Sequence, residues 1–352
     1  MLAVWIPEPG RFELRDDLPV PQPGEGWVLV RVTASMVCAT DRKVLEGRFA
    51  GVRYPHIPGH EWAGVVEAVG PGVASFRPGD RVGAEVHVGC GQCPPCREGL
   101  YNLCEHYGDP AWGHVHVGFT IPGGLAEYAA VPERSLHRLP EGVDDEAGAF
   151  TDNVGVALWA VERAALRPGE RVAVIGPGAI GLIALQVARL TAGRVVLVGT
   201  RPERLRMGLA MGADAVVDVR QEADPEAAVR RELGGRGADA AVEFAGTSEA
   251  ARLAVAVVRR GGRVVLAGAT GGDARLEVEL PRIVRGHLDV LGSVANPRGV
   301  SARGLELLAA GRVRVAPLVT HRFPLRRFAE AWETFVRRRD GAIRVLLQPG
   351  AA

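Results

Sequence analysis

The sequence has almost no net charge and no long apolar segment. Forty-two lysines and arginines against forty-one acidic residues leave a formal charge of +1, so no overall charge draws the chain to nucleic acid or to an anionic membrane. No apolar run approaches the roughly 18 residues that span a bilayer. The first ten residues contain prolines and a glutamate instead of a basic-then-apolar signal pattern, which predicts a cytoplasmic protein.

Lysine and asparagine are also scarce. Lys43 is the sole lysine, and asparagine occurs only at positions 102, 153 and 296. Arginine in place of lysine and few amide side chains suit a thermophile, but a GC-rich genome gives the same composition, so both readings stay open. Apolar residues make up 47% and charged residues 24% of the chain. This balance excludes a disordered or collagen-like protein.

The predicted secondary structure changes near residue 171. Residues 1–150 contain short strands, such as Val28–Thr33, Ala63–Val69 and Arg81–Val86, separated by proline and glycine turns. Beyond them, continuous apolar strands alternate with helices, which predicts a parallel sheet covered on both faces, a doubly wound α/β domain. The strands predicted there are Arg171–Ile175, Arg194–Val198, Ala215–Val217, Ala240–Phe244, Arg263–Ala267 and Leu288–Leu291, with helices over Ala179–Leu190 and Ser248–Val258.

Four of the five cysteines fall within fifteen residues, at Cys90, Cys93, Cys96 and Cys104. Closely spaced thiolates on a loop rich in glycine and proline can surround zinc tetrahedrally at about 2.3 Å with little strain. Because four cysteines leave no open position, such a site is structural. An iron–sulfur cluster is the competing interpretation of the same spacing.

The fifth cysteine, Cys38, precedes a Gly-His-Glu run containing His60 and Glu61 by twenty-two residues. A lone cysteine or histidine is usually a core residue. Together with the four-cysteine loop, however, these motifs resemble the zinc-containing medium-chain dehydrogenase/reductase family of alcohol, polyol and threonine dehydrogenases.

The resemblance covers the whole chain and implies two domains. A β-rich, GroES-like catalytic domain is expected at 1–153 and 295–352, with a Rossmann dinucleotide-binding domain at 154–294. Relatives of this kind are homo-oligomers, so we expect a dimer or tetramer, formed along the strand at 288–291. No nucleic acid or membrane partner is expected.

The resemblance also implies a catalytic zinc held by Cys38, His60 and Asp152, with Glu61 as an exchangeable ligand. An alcohol bound to such a zinc loses its proton near neutral pH, and the alkoxide can release hydride. Thr40 matches the first group of the family's proton relay. The next relay group is often a histidine, but Lys43 stands at that position.

A Gly176-Pro177-Gly178-Ala179-Ile180-Gly181 run follows one predicted strand and opens a helix, the context that identifies a dinucleotide site. NAD enzymes place a carboxylate at the end of the next strand to bind the ribose. Here that strand ends in Gly-Thr-Arg-Pro, which resembles the Gly-Ser-Arg-Pro of NADP-dependent secondary alcohol dehydrogenases and favours NADP over NAD. The predicted cofactor residues are Gly176, Gly178, Ala179, Ile180, Gly181, Gly199, Thr200, Arg201, Arg204, Gly268, Ser293 and Arg344.

These features predict a zinc- and NADP-dependent dehydrogenase of a secondary hydroxyl in a polyol, sugar or hydroxy-amino acid. Glu85-Val86-His87 resembles a Gly-Glu-Gly-His run of threonine dehydrogenases and favours polar, hydroxyl-rich substrates. His114 and His116, in the stretch after Cys104, are candidate lining residues of the substrate site, but ordinary polar loop residues are the favoured interpretation. Alternatives are an NADPH-dependent carbonyl reductase and a non-catalytic binding protein of the same fold. The last is disfavoured, because branches without zinc lack the set Cys38, His60 and Asp152.

Overall fold

A computed structural model describes residues 1–49, 51–268 and 274–351. The chain divides into two compact units. The first consists of Met1–Asp152, Asn296–Ala309 and Val315–Ala352, and the second of Asn153–Ala295 and Ala310–Arg314.

The described residues form seventeen strands and eleven α-helices. The strands are β1 Ala3–Glu8, β2 Arg11–Arg15, β3 Trp27–Met36, β4 Trp62–Val69, β5 Arg81–Ala84, β6 His87–Val88, β7 Val115–His116, β8 Tyr128–Pro132, β9 Leu136–Arg138, β10 Arg171–Ile175, β11 Arg194–Gly199, β12 Ala215–Asp218, β13 Ala238–Glu243, β14 Val258–Leu266, β15 Asp289–Gly292, β16 Val319–Pro324 and β17 Arg344–Gln348. The helices are α1 Ala39–Leu45, α2 Pro94–Arg97, α3 Asp145–Gly148, α4 Thr151–Arg163, α5 Ala179–Arg189, α6 Pro202–Ala210, α7 Pro225–Glu232, α8 Ser248–Val257, α9 Leu280–Val284, α10 Val300–Ala309 and α11 Phe328–Arg337. Short 3-10 helices lie at Tyr101–Leu103, Pro110–Trp112, Glu133–Ser135, Ala316–Leu318, Leu325–Arg327 and Arg339–Gly341.

The second unit is built on a six-stranded parallel sheet in the order β12-β11-β10-β13-β14-β15. The central residues of its strands are mostly apolar because helices cover both faces. On one face, Ala160 of α4 packs on Val242 and Val265, and on the other, Val229 of α7 packs in a cluster with Val196. The predicted doubly wound α/β fold is confirmed.

Most strands of this sheet differ from their predicted bounds by one or two residues, and β14 differs most. β14 begins at Val258 rather than at Arg263, because Val258 pairs with Ala238 ahead of an irregularity in the ladder. Beyond that irregularity, Arg263 pairs with Ala240 in regular parallel register. The strand therefore extends N-terminally to Val258. The glycines at 261 and 262 interrupt the apolar pattern, so the sequence did not predict this extension.

The first unit contains a seven-stranded sheet in the order β16-β17-β3-β4-β5-β9, with β8 also paired to β3. Alternate residues of β3, Val28, Val30 and Val32, enter one core cluster with Val66 of β4. This is the period-two pattern expected of a half-buried strand.

Strand pairing in this sheet brings distant parts of the chain to one edge. Ser35 near the end of β3 pairs with Trp62 at the start of β4, and Met36 pairs with Leu346 of β17. Residues just after β3, just before β4 and at the start of β17 are therefore neighbours.

Candidate catalytic and cofactor sites

Cys38, His60 and Glu61 meet at this edge of the first unit. Their possible ligand atoms, a sulfur, an imidazole nitrogen and a carboxylate oxygen, all lie within 4.8 Å of one another. His60 and Glu61 are buried, whereas Cys38 is half-buried. Mixed sulfur, nitrogen and oxygen donors with one partly accessible member suit a catalytic zinc ion. We call these three residues the mixed ligand group.

The backbone around the group is tightly constrained. Gly59 has a φ of +101°, and a Cβ there would lie 2.6 Å from the backbone nitrogen of Leu125, so the Gly-His-Glu run requires glycine. Cys38 is the N-cap of α1, and its backbone N–H donates to Asp41 Oδ2 at 2.8 Å. The hydroxyl of Thr40 lies 3.8 Å from the sulfur of Cys38.

Two buried charged residues stand behind the mixed ligand group. Asp41 Oδ1 lies 3.5 Å from His60 Nδ1, and the guanidinium of Arg344 donates to Glu61 Oε2 at 2.7 Å. Burial lowers the pKa of His60, but the Cys38 thiolate and Asp41 outweigh it and raise that pKa well above its usual value. The negative groups around His60 therefore stabilise a positive charge at this position, as they would a bound metal cation.

Asp152, the fourth predicted ligand, does not join the mixed ligand group. It is the second residue of α4, and its Oδ1 accepts from the backbone N–H of Val86 at 3.4 Å. Burial raises the pKa of Asp152 to about 7, against the lowering effect of His60. The structure thus brings three of the four residues together and leaves Asp152 beside them.

The four-cysteine loop forms a separate, closed cluster in the same unit. All four cysteines are buried, and the sulfurs of Cys90 and Cys96 and of Cys93 and Cys104 are 3.9 and 4.0 Å apart. Sulfurs placed tetrahedrally at about 2.3 Å from one ion are about 3.8 Å apart, so the spacing fits a single ion. The thiolates of an iron–sulfur cluster ligate different irons and need wider separation.

In the second unit the three glycines of the cofactor motif have separate geometric roles. Gly176 has a φ of +101°, and a Cβ on Gly181 would lie 2.0 Å from the carbonyl oxygen of Gly176. Gly178, the N-cap of α5, has open space at its Cβ position. The first glycine thus makes the turn, the third permits close packing, and the second leaves the helix N-terminus accessible to phosphate. Ala179 and Ile180 are the first residues of α5.

A cavity of about 310 Å³ lies at the carboxyl edge of this sheet and is lined by Gly176, Gly199 and Thr200 among others. Arg201 caps α6 and Arg204 follows in its first turn, but neither lines the cavity. Arg252 of α8 does line it. Sequence reasoning missed Arg252, because nothing distinguishes it from the other arginines of the chain.

The remaining predicted cofactor residues lie elsewhere. Gly268 follows β14, and its backbone N–H donates to the buried carboxylate of Glu243. Ser293 follows β15 and donates its N–H to Leu266. Arg344 lies in the first unit, bound to Glu61. That ion pair is a link that the sequence did not reveal.

Two sequence families match this chain. The family described as alcohol dehydrogenase GroES-like domain matches residues 24–141, and that described as zinc-binding dehydrogenase matches residues 179–310. The chain is 32% identical over 343 residues to the sorbitol dehydrogenase of Halalkalibacterium halodurans, covering 97% of this chain and 96% of that protein. This chain belongs to the zinc-containing medium-chain dehydrogenase family.

Other relatives of this medium-chain dehydrogenase cover it almost completely. It is 34% identical to an L-threonine 3-dehydrogenase of Anaeromyxobacter sp. strain K, over 96% of each chain. A zinc-binding dehydrogenase from Sinorhizobium meliloti, solved with bound NADP, superposes with a TM-score of 0.90 at 32% identity over 99% of each chain. The predicted GroES-like and Rossmann architecture and the dehydrogenase activity on an alcohol group are thereby confirmed.

We searched the described helices for a segment that could span a membrane. None of those within 1–49, 51–268 and 274–351 combines the length and the apolar character needed to cross a bilayer.

Proposed function

We propose that this medium-chain dehydrogenase oxidises a secondary hydroxyl with NADP, using one catalytic and one structural zinc ion per chain. The observation that carries the proposal is the mixed ligand group, whose three donor types lie within 4.8 Å of one another in a buried setting. A zinc ion held there would supply Lewis acidity toward the substrate oxygen, and a bound nicotinamide would supply the hydride acceptor.

The residues of this chain then have distinct tasks. Cys38, His60 and Asp152 would hold the metal, while Glu61, paired with Arg344, could exchange with water. The Thr40 hydroxyl, 3.8 Å from the Cys38 sulfur, would receive the substrate proton. Lys43, half-buried in α1, stands at the position of the next relay group, which is often a histidine in relatives.

The preference for NADP is supported by the end of β11. This strand ends at Gly199 and continues through Thr200 to Arg201, without a carboxylate for the ribose hydroxyls. Arginine offers bidentate donors to phosphate, and both Arg201 and Arg252 stand near this end of the sheet. The structure neighbour from Sinorhizobium meliloti binds NADP, which agrees with the proposal.

Kinetics with both cofactors, in both reaction directions, tests this proposal. The wild type should have a higher kcat/KM with NADP than with NAD, and Arg201→Ala should raise KM for NADP by about ten- to a hundredfold. Arg206→Ala, on the exposed face of the same helix, is the matched control. Equal or better efficiency of the wild type with NAD would contradict the assignment.

A substitution that changes the cofactor preference from NADP to NAD is best made at Thr200. A Cβ on Gly199 would lie 2.4 Å from the ring of Pro177, so Gly199→Asp would disturb the phosphate loop itself. Thr200→Asp introduces the carboxylate one residue later, where it should repel the 2′-phosphate and favour NAD.

We also infer that the chain assembles into a homo-oligomer through the second unit. β15 is the edge strand of its sheet, and Leu280, Val284 and Val294 around it are 72%, 73% and 58% exposed. An unpaired edge flanked by apolar side chains invites pairing with a second copy. Light scattering should give a multiple of 37.3 kDa, and a monomer at micromolar concentration would contradict the inference.

A further inference from the structure

A buried carboxylate lies next to the cofactor cavity of the second unit. Glu243 is the last residue of β13, at the carboxyl edge of the sheet, and it is only 2% exposed. It does not line the cavity itself. Burying a carboxylate is costly unless hydrogen bonds or a cation compensate for the lost hydration, so the partners of Glu243 indicate its role.

Backbone N–H groups from two loops surround this carboxylate. Gly246 donates its N–H to Glu243 Oε1 at 2.7 Å, and the N–H groups of Ala245 and Gly268 bond to the same carboxylate. Burial raises the pKa of Glu243, and these three donors act in the opposite direction because they stabilise the charged form. The side chain therefore joins the loop after β13 to the loop after β14.

The main chain at the same position joins a third strand. The C=O of Glu243 accepts from the N–H of Ala267, which follows β14, at 2.9 Å. The next residue, Phe244, donates its N–H to Ile175 at the end of β10 at 2.8 Å. The ends of β10, β13 and β14 therefore meet around Glu243.

The two loops also pack closely on each other and on the glycine motif of the cofactor site. A Cβ on Gly268 would lie 2.2 Å from the backbone nitrogen of Gly246, and a Cβ on Gly176 would lie 2.7 Å from that of Ala245. Such distances leave no room for a side chain, so these backbones contact one another directly. A shift of the loop after β13 would therefore also displace the turn at Gly176.

The loop after β13 forms part of the cavity wall. Ala245 and Thr247 line the cavity, on either side of Gly246 along the chain. The side chain of Thr247 caps α8 by accepting from the N–H of Ala250 at 3.2 Å. The helix cap fixes the end of the loop, and Glu243 fixes its middle. The hydrogen bonds to Glu243 therefore hold this part of the wall in place.

We propose that Glu243 is a positioning residue for the dinucleotide, which holds two loops of the binding site in shape without contacting the cofactor. The proposal rests on the proposed function, because it takes the cavity to be the dinucleotide site. The affinity for the cofactor then depends on a side chain that the cofactor does not reach. A merely structural role of Glu243 would instead change stability and leave the affinity unchanged.

The test measures the Kd of the wild type and its variants for NADPH and for NADH, followed by the fluorescence of the reduced nicotinamide. Glu243→Ala leaves the two loops without their shared acceptor. The cofactor must then order loop residues as it binds, which should raise the Kd for NADPH about tenfold or more. Glu243→Gln keeps one oxygen for Gly246 but places an NH2 group against the other donors, so a smaller rise is expected.

Asp239→Ala is the matched control, because it also removes a carboxylate that accepts a backbone N–H. Asp239 lies on the same strand and accepts from the N–H of Arg171 at 2.8 Å. It stands near the opposite edge of the sheet, about 13 Å from Glu243 at a rise of roughly 3.3 Å per residue. This variant should lose stability, measured by denaturant unfolding, but keep the Kd of the wild type.

The outcomes separate this proposal from the function on which it rests. Binding of neither NADPH nor NADH by the wild type would overturn both. If the wild type binds a cofactor but every folded Glu243 variant keeps its Kd, or if Asp239→Ala raises the Kd equally, Glu243 is not a positioning residue, while the dehydrogenase function stands. Should Glu243→Ala fail to fold, Glu243→Gln decides the question, and a preference for NADH moves the comparison to that cofactor.

Discussion

The two candidate metal groups of the first unit are assembled in opposite ways. The four cysteines come from one short loop, bury all their sulfurs and leave no position open. The mixed ligand group joins residues after β3 and before β4, and Arg344 from β17 supports it from near the end of the chain. The first is local and closed, whereas the second depends on the sheet and stays partly accessible at Cys38.

This contrast separates stability from reactivity. A closed tetrahedral site binds its ion as part of folding, so its loss should appear as unfolding. An accessible mixed site exchanges a ligand for substrate, so its loss should appear as lost turnover. The following predictions test whether the two groups differ in this way.

The largest effect is expected for Cys38→Ser. Loss of the thiolate should release one metal ion per chain and lower kcat about a thousandfold or more, since Lewis acidity supplies several kcal/mol of transition-state stabilisation. Metal analysis and steady-state kinetics measure both changes, and thermal unfolding should stay near that of the wild type. Full activity with one metal ion lost would reverse the roles assigned to the two groups.

Cys96→Ser should act mainly on stability. The buried cysteine cluster anchors its own loop, so losing its ion should lower the free energy of unfolding by about 3 kcal/mol or more. Denaturant titration measures this change. If stability holds while one metal ion is lost, the loop does not depend on its ion, and the comparison fails.

His87, on the strand that leads into the cysteine loop, gives a pH-dependent prediction. Its pKa falls from 6.5 to about 4 on folding, so its contribution to stability is present above pH 6.5 and lost as the pH falls toward 4. This difference corresponds to about 3 kcal/mol. His87→Phe should therefore flatten the decrease in unfolding free energy between pH 6.5 and 4, and an unchanged slope would show that His87 is not buried as a neutral ring.

The smallest effect is expected for Asp41→Asn. Carboxylates behind a metal-binding histidine orient it and raise its basicity, and their loss costs about ten- to a hundredfold in metal affinity. Chelator competition should show this loss for the metal of the mixed group alone. Glu46→Gln, at the far end of the same helix, is the control. Equal weakening of the cysteine site would indicate a general loss of structure.

Local patterns explain how much the sequence could predict. β10 and β11 were predictable because continuous apolar runs ended at glycine turns, and the cysteine loop because its spacing was contiguous. The pair Arg344 and Glu61 is separated by 283 positions, so no local pattern records it. The two-residue strands β6 and β7 are likewise too short for a periodic signal, although they hold His87 against His116.

The ion pair between Glu61 and Arg344 also determines when the mixed ligand group can be completed during translation. Translation at roughly 5–20 residues per second leaves about 15–60 s between the two residues. Until β17 has left the ribosome, the nascent β3–β4 edge carries Glu61 and Cys38 without the guanidinium of Arg344. The mixed ligand group is therefore complete only after β17 has been synthesised and has paired with β3.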